Sequence, residues 1–390
     1  MYTLLPSLIL FLLFLVWERV SLRRRQARIP LRIAVTGTRG KSSIVSLLAA
    51  VFREDGRRVL AKTTGSEALL ILPDGSREEV VRSGMPSILE QKQLVRRAVR
   101  EKADCLIAEI MSIQPENHFV ESRMILQPHA VVITNVRRDH TEAMGKTEAQ
   151  IASVLGLAIC PGAAVFLPEA AVRDCFQGEA RRCGATLVPV APGAAAAILE
   201  QAPGLARQEF AANLDLVFAV ASHFGIAATT ILEGLRKAQH DIGGLKIWRF
   251  SPDAAHPPWL LINAFAANDP ESTFQVMSRV SEIFPQAGSG MTGILNLRAD
   301  RAARTLQWIE ALKQGGLGRF RRLYVTGGHA RVVRRRLPGV ELLDTSSPEE
   351  MTRSVCSETG NERIVFGFGN IMGSGRLLVD YWNRVGTPCT

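Results

Sequence analysis

Thr36-Gly37-Thr38-Arg39-Gly40-Lys41-Ser42-Ser43 stands directly after the apolar run Leu31-Arg32-Ile33-Ala34-Val35 and directly before Ile44-Val45-Ser46-Leu47-Leu48-Ala49-Ala50-Val51-Phe52. The first run predicts a strand and the last a helix with one apolar face. A strand, a glycine turn and a helix N-terminus together bind phosphate, because backbone N–H groups wrap the anion and the helix dipole adds to the field. Lys41 then reaches the β- and γ-phosphates, and the Ser42 hydroxyl is placed for Mg²⁺. Thr36, Gly37, Thr38, Arg39, Gly40, Lys41, Ser42 and Ser43 are therefore candidate nucleotide-binding residues. The loop departs from the common phosphate-loop pattern at Val35, where that pattern has its first glycine. A bare strand-to-helix turn is the alternative, but the flanking elements are the context that the motif requires.

Three further polar clusters close apolar runs. Lys62-Thr63-Thr64-Gly65 ends one, Ala108-Glu109-Ile110-Met111-Ser112 a second, and Asn135-Val136-Arg137-Arg138-Asp139-His140 a third. A carboxylate after Leu106-Ile107-Ala108 is costly without a cation or donor beside it, which favours Glu109 as a metal ligand over a solvated strand end. His140 alone reads as a polar loop residue and Asp139 as a helix cap. With the phosphate loop and Glu109 they complete a metal–nucleotide site. Mg²⁺ prefers oxygen, so an imidazole ligand there needs its geometry fixed by the fold.

Strands at 31–35, 58–63, 105–110, 130–136, 164–167 and 186–190, and helices at 44–52, 87–102, 148–157 and 213–224, are expected to position these groups. The alternation predicts a mainly parallel sheet covered on both faces, with ligands beyond the carboxyl ends of its strands. Around 239–258, Gly243-Gly244 and Pro257-Pro258 interrupt the helical pattern and mark a linker. Beyond it, strands at 259–265, 292–297, 322–326, 340–344 and 363–367 alternate with helices, which predicts a second α/β domain of Rossmann-like layout. The expected organisation is a membrane segment with basic flank at 1–29, a nucleotide-binding domain at 30–245 and the Rossmann-like domain at 246–390.

Of the 390 residues 47% are hydrophobic and 22% charged, enough for a sizeable core, which excludes wholesale disorder. Six scattered cysteines without metal spacing argue against a disulfide framework or a zinc site. The net charge is +10, and residues 298–336 hold eleven Lys or Arg against Asp300 and Glu310, a field that attracts anions. No aromatic-rich motif accompanies that charge, so nucleic acid is not an expected partner. Only residues 2–17 form an uninterrupted apolar run, which excludes a polytopic membrane protein. At 1.5 Å per residue the run makes about 24 Å of helix, short but sufficient for a thin bilayer. Arg19, Arg23, Arg24, Arg25 and Arg28 follow it, and no small-residue cleavage pattern does, so a single-pass anchor is expected rather than a cleaved signal. Its arginines should stay in the cytoplasm. A buried N-terminal helix is the alternative, disfavoured because the run is apolar on every face.

Taken in order, these motifs resemble the Mur-ligase type of ATP-dependent amide ligase, and more closely the ligase subunit of poly-γ-glutamate synthase (the PgsB or CapB family). The resemblance is carried by the phosphate loop, Lys62-Thr63-Thr64-Gly65, Glu109 with Ser112, and Asn135 with Asp139 and His140. It continues in Ala264-Phe265-Ala266-Ala267-Asn268-Asp269, Asn296-Leu297-Arg298-Ala299-Asp300-Arg301 and Gly367-Phe368-Gly369-Asn370-Ile371-Met372-Gly373, and in the N-terminal apolar run. Residues 367–373 also fit a helix-capping turn after a strand.

The resemblance implies an α/β fold: a P-loop Mur-ligase-type central ATPase domain, a C-terminal Rossmann-like α/β domain and an N-terminal transmembrane helix. It implies ATP and Mg²⁺, with Mn²⁺ as a substitute. Lys41 and the loop amides would hold the phosphates, and Ser42, Thr64, Glu109 and His140 would surround the metal. Asn213 resembles the residue that faces adenine, and Lys246 falls where relatives have a phosphate-contacting arginine. Arg298, Asp300, Arg301 and Arg304 resemble the segment that meets nucleotide and substrate, so the catalytic set would be Lys41, Glu109, His140, Arg298, Asp300 and Arg301. Arg39 stands where most Mur ligases have asparagine. The phosphate loop starts at residue 36, so a UDP-sugar-gripping domain and a UDP-linked substrate are not expected, and neither is a carbamylated lysine.

The implied reaction polymerises glutamate into poly-γ-glutamate through an acyl phosphate. Its implied partners are glutamate, the growing chain, the cell membrane and small integral-membrane synthase and export subunits, with the catalytic domains in the cytoplasm and homo-oligomerisation left open. The competing readings are a membrane-anchored NTPase that energises polymer export, a Mur-type ligase acting on another acid, and an inactive nucleotide-binding scaffold.

Overall fold

The computed structural model describes all residues except 1–3, 66–67, 83, 203, 206–208, 240–244, 253–256, 285–289, 346, 357–362 and 390. The chain divides into two compact units, Met1–Asp241 and Ile242–Thr390. The Gly243-Gly244 pair expected to mark the linker lies outside the described residues.

The first unit is built on eight strands in the order β4-β3-β2-β5-β1-β6-β7-β8. They are β1 (Leu31–Thr36), β2 (Val59–Thr63), β3 (Leu69–Ile71), β4 (Arg77–Glu79), β5 (Cys105–Glu109), β6 (Ala130–Ile133), β7 (Ala164–Pro168) and β8 (Thr186–Val190). From β2 to β8 all neighbours are parallel, as the apolar runs of 31–36 and 105–109 require of strands covered on both faces. The antiparallel extension β2-β3-β4 makes the sheet mixed and was not expected. Its strands β3 and β4 are three residues each and β4 reads Arg-Glu-Glu, so no apolar alternation betrays them.

Side chains alternate across the sheet. Ile33 and Val35 join the core under the helices Lys41–Glu54, Ala211–His223 and Ala228–Lys237. Ala34, Leu106 and Ala108 face the opposite core, with Leu94 and Val95 of the helix Glu90–Arg100 and with Ile151 and Leu155 of the helix Glu148–Gly156. The latter begins with a capping box between Thr147 and Gln150.

A helix does occupy Leu4–Gln26, but the expected transmembrane helix is not found: among the described residues no helix is long and apolar enough to cross a membrane. The physical reason lies at Glu18, where the apolar stretch ends and the same helix becomes a charged foot fastened to the first unit. Glu18 pairs with Lys92 at 2.8 Å, Arg19 donates to the Met124 carbonyl at 3.1 Å, and Gln26 donates to the Ile125 carbonyl at 2.8 Å. Leu22 is buried, whereas Leu8 through Trp17 are exposed.

The second unit carries seven strands in the order β13-β12-β11-β14-β10-β9-β15. They are β9 (Lys246–Phe250), β10 (Trp259–Ala264), β11 (Met291–Leu297), β12 (Phe320–Gly327), β13 (Val340–Leu342), β14 (Ile364–Phe368) and β15 (Thr387–Pro388). Five run parallel, and β9 and β15 are added antiparallel at one edge. Trp308, Phe320 and Phe368 pack on one face, and Trp248, Phe265 and Trp382 on the other.

Candidate active site: a phosphate loop closed on a buried carboxylate

The pairing of β1 with β5 sets Val35 opposite Glu109, so the phosphate loop and the carboxylate leave adjacent strands at the same end of the sheet. Glu109 is buried, and its Oε2 accepts from Ser42 Oγ at 2.8 Å and from the Thr64 backbone N–H at 2.7 Å. The loop, the end of β2 and the end of β5 therefore converge on one carboxylate oxygen. Thr64 joins through its main chain.

The loop is braced from two sides. Lys41 Nζ folds back to donate to the Gly37 carbonyl at 2.9 Å. Burial lowers the Lys41 ammonium's pKa from its ordinary value, and the Glu109 carboxylate opposes that shift. Across the loop, Asn135 Oδ1 accepts from Thr38 Oγ1 at 2.5 Å and from the Arg39 N–H at 3.1 Å, while its Nδ2 donates to the Arg39 carbonyl at 3.0 Å. Gly37 has φ 125°, a conformation that L side chains rarely adopt, and a Cβ there would collide with Thr134 Oγ1. Asn213, expected to face adenine, is buried against the loop, where a Cβ on Gly40 would lie 2.8 Å from its Oδ1.

Asp139 does not cap the short helix Thr141–Met144, whose N-cap is His140. It is buried and pairs with Arg39 Nη2 at 3.1 Å, so the arginine that distinguishes this loop is held by the motif that ends in His140. His140 itself adopts φ 48°, and its Nε2 lies 3.8 Å from Asp139 Oδ2. Among the described residues no group of three or more His, Cys, Asp or Glu is arranged to hold a metal ion. The donors that do meet, the Ser42 hydroxyl and the Glu109 carboxylate, are hard oxygens. They fit Mg²⁺ or Mn²⁺ bound through one carboxylate and substrate phosphates, not a cage made by the protein alone.

Lys62 is 1% exposed, with Nζ 2.7 Å from Glu90 Oε2. Arg82 also bonds Glu90, at 2.8 Å, and so does the Ser87 N–H at 3.2 Å. Burial pushes the Glu90 carboxyl up, but the Arg82 and Lys62 hydrogen bonds outweigh it and hold the group down at about 2. The lysine of the Lys62-Thr63-Thr64-Gly65 motif is thus paired within the protein and holds the start of the helix Glu90–Arg100 against β2.

In the second unit the sequence-identified groups gather at the carboxyl end of the parallel strands. Asn296 Nδ2 donates to the carbonyls of Asn370 and Met372 at 2.6 and 2.7 Å, tying the loop after β14 to the end of β11. A cavity of about 380 Å³ opens there, lined by residues that include Arg298, Asp300, Gly327 and Gly373. Arg298 and Asp300 form a two-point ion pair, at 2.8 and 2.6 Å, which holds Asp300 below its usual carboxylate range. Arg301 precedes the helix Ala302–Ala311, and Arg304 donates to Gln307 at 3.1 Å. Lys246 opens β9 opposite Asn263, at the same end of the sheet.

Thr134, His118, Glu121 and Gln91 are among the residues that join the site without any mark in the sequence. Thr134 donates to the Arg39 carbonyl at 2.5 Å. His118 and Glu121 sit in no motif, and nothing in their spacing singles them out.

Comparison with known proteins agrees with this geometry. Residues 35–158 match the family model of the Mur ligase middle domain, and residues 251–385 match that of the poly-gamma-glutamate synthase CapB C-terminal domain. The capsule biosynthesis protein CapB of Bacillus anthracis is 29% identical over 95% of this chain and 80% of its own. The PGA synthase CapB of Bacillus subtilis (strain 168) is 28% identical over 92% of each. Among solved structures, a bifunctional folylpolyglutamate synthase/dihydrofolate synthase from Yersinia pestis, complexed with AMPPNP and Mn ion, superposes with a TM-score of 0.66 at 14% identity, over 93% of this chain and 92% of that one. E. coli FolC in complex with ADP gives 0.64 at 15%, over 94% of each chain. MurF from Acinetobacter baumannii gives 0.61 at 13%, over 92% of this chain and 78% of that one. At such identities the structural likeness speaks for the fold alone. The chain thus matches the Mur ligase middle domain in its first unit and the poly-gamma-glutamate synthase CapB C-terminal domain in its second, the families that its motifs resemble.

Proposed function

We propose that this chain joins glutamate units into poly-γ-glutamate and drives each amide bond with ATP. It is an ATP-dependent ligase of the acid–amino-acid class, with the fold of the folylpolyglutamate synthases and likeness to the CapB proteins over most of the chain. The observation that carries the reading is the convergence of Ser42 and Thr64 on Glu109 beside the Lys41 loop.

A γ-carboxylate oxygen of one glutamate attacks the γ-phosphorus of ATP; the bond to ADP breaks, ADP leaves, and an acyl phosphate is formed. The amine of a second glutamate then adds to the acyl carbon, and the tetrahedral intermediate collapses to the amide with loss of phosphate. Phosphoryl transfer asks for alignment and charge neutralisation more than for a protein nucleophile. Lys41 and the loop amides hold the phosphates, Arg39 adds positive charge steadied by Asp139, and Asn213 borders the loop at Gly40. Ser42 and Glu109 would hold a divalent cation, Mg²⁺ or Mn²⁺, with Thr64 steadying the carboxylate through its backbone N–H and His140 assigned to the metal by motif; the cation when bound would neutralise phosphate charge. Arg298, Asp300, Arg301, Arg304 and Lys246 are assigned by motif to nucleotide and substrate.

The exposed apolar residues Leu8 through Trp17 support attachment to the cell membrane through the N-terminal helix, with both α/β units on the cytoplasmic side. Small integral-membrane synthase and export subunits are the proposed partners there, and co-purification from membranes tests them. The same preparation reports whether the chain self-associates.

The deciding experiment is product mass spectrometry with ATP, Mg²⁺ and glutamate, on purified protein and on membranes that contain its partners. Glutamate oligomers spaced by one dehydrated glutamate support the assignment. ATP hydrolysis without oligomers, even with the partners present, sinks it.

A further inference from the structure

We propose that His118 and Glu121 are positioning residues for the ligase reaction. From one helical segment, they hold the first residue of the phosphate loop and the turn after the metal carboxylate at a fixed separation. The inference rests on reading that loop as the ATP site.

The segment runs from the helix Pro115–Phe119 into Val120–Leu126. His118 and Glu121 lie three residues apart on it, both bond Ser112, and they are 1% and 0% exposed. His118 Nδ1 lies 2.9 Å from the Ser112 carbonyl oxygen, which can only accept, so Nδ1 carries the proton. Nε2 of the neutral ring then accepts from Thr36 Oγ1 at 3.2 Å. Burial pushes the ring down to about 4, opposed by the Ser112 bond and helped by the Lys41 charge, which keeps that neutral form at neutral pH. The hydroxyl proton of Thr36 is thereby committed away from the loop.

Glu121 clamps the other wall. Its Oε1 accepts from Gln91 Nε2 at 2.6 Å and from the Met111 N–H at 3.0 Å. Its Oε2 accepts from the Ser112 N–H at 2.9 Å and from Ser112 Oγ at 2.5 Å. Gln91 Nε2 also donates to the Glu109 carbonyl at 3.1 Å. A buried carboxylate requires such donors, and all but one of those on Glu121 come from Met111 and Ser112, in the turn after Glu109. Because β1 and β5 are neighbours, the bonds close a ring from Thr36 through His118 and Glu121 to Ser112 and Glu109. The ring fixes the spacing between the loop that takes the phosphates and the carboxylate that takes the metal, the distance on which alignment of the transferring phosphoryl group depends.

The test compares His118→Phe, His118→Gln and Glu121→Gln with the wild-type chain. Calorimetry with a non-hydrolysable ATP analogue and Mg²⁺ gives affinity, glutamate-dependent ADP release gives kcat and KM, and amide hydrogen exchange reports the local backbone. His118→Phe and Glu121→Gln should melt close to wild type, lose roughly tenfold in nucleotide affinity, the scale of one lost buried hydrogen bond, and exchange faster at 36–42 and 109–112 alone. His118→Gln donates to the Ser112 carbonyl and accepts from Thr36 through one amide, and should recover most of the affinity. Wild-type affinity and exchange in His118→Phe would overturn the proposal. So would a loss that tracks global unfolding or that glutamine does not recover. A wild-type chain that binds no nucleotide overturns the ligase reading instead, and exchange at 36–42 then decides the positioning role by itself.

Discussion

Ser42 Oγ donates to Glu109 Oε2 across 2.8 Å, joining two residues 67 positions apart in the chain. The bond places a hydroxyl and a carboxylate, hard oxygen donors that suit a divalent cation, beside the lysine proposed to grip phosphate. In Glu109→Gln the amide oxygen still accepts from Ser42 and Thr64, so the fold survives while the charge is lost. The Mg²⁺ concentration for half-maximal ADP release should rise at least about tenfold, the lower range for losing groups that support a metal. Unchanged metal dependence would remove Glu109 from the site.

Lys41→Ala removes the proposed phosphate cation and the brace on the Gly37 carbonyl together. Its kcat should fall by about 10²–10³, the scale for losing one preorganised charge-stabilising group. Single-turnover ADP release on the folded variant measures it, and a fall of less than fivefold would assign the lysine a loop-shaping role only.

Gly37→Ala places a methyl group against Thr134 Oγ1 at a φ of 125°. The loop must shift, and calorimetry should show nucleotide binding lost in a protein whose circular dichroism matches wild type. Retained binding would mean that the loop adopts another path when it takes phosphate.

Glu90 sits at about 2 when folded, against an ordinary value of 4.5. A depressed carboxyl contributes stability that is fully present above about pH 4.5 and is lost as the pH falls toward 2. The Lys62 shift disagrees about the pair: it too is downward, because burial of the ammonium outweighs what Glu90 returns. The carboxylate decides the acid window, since it accepts from Lys62, Arg82 and Ser87 at once. Urea midpoints measured from pH 5 to pH 2 should therefore drop more steeply for wild type than for Glu90→Gln. At neutral pH, Glu90→Ala should cost about 3 kcal/mol, because it strands a buried ammonium. Parallel pH profiles would refute the linkage.

Leu10 and Leu13 are 67% and 59% exposed on the N-terminal helix. Leu10→Asp/Leu13→Asp should shift the chain from the membrane pellet to the supernatant after alkaline carbonate washing, with ATP binding intact, because the substitutions lie beyond the foot that seats the helix on the first unit. A chain that stays in the pellet would assign attachment to another surface, and one that leaves the membrane even as wild type would refute the anchor.

Chemistry that is contiguous in the chain is legible from the residues themselves. The phosphate loop needs a strand, two glycines, a lysine and a helix start, all of them local, so residues 31–52 declare it unaided. Largely apolar runs likewise declare β1, β5, β10 and β11, since strands buried on both faces are mostly apolar. Glu109 is legible because a carboxylate that ends such a run demands a partner. Tertiary structure alone decides which partner each polar group takes. Asp139 reads as a cap and is the counterion of Arg39, Lys62 is spent on Glu90, and Thr64 offers its backbone rather than its hydroxyl. The β3–β4 hairpin and the roles of His118 and Glu121 leave no mark in the sequence. The physical reason is one of range: periodicity and turn chemistry act between near neighbours, whereas hydrogen bonds between residues many tens of positions apart exist only once the sheet has set its register.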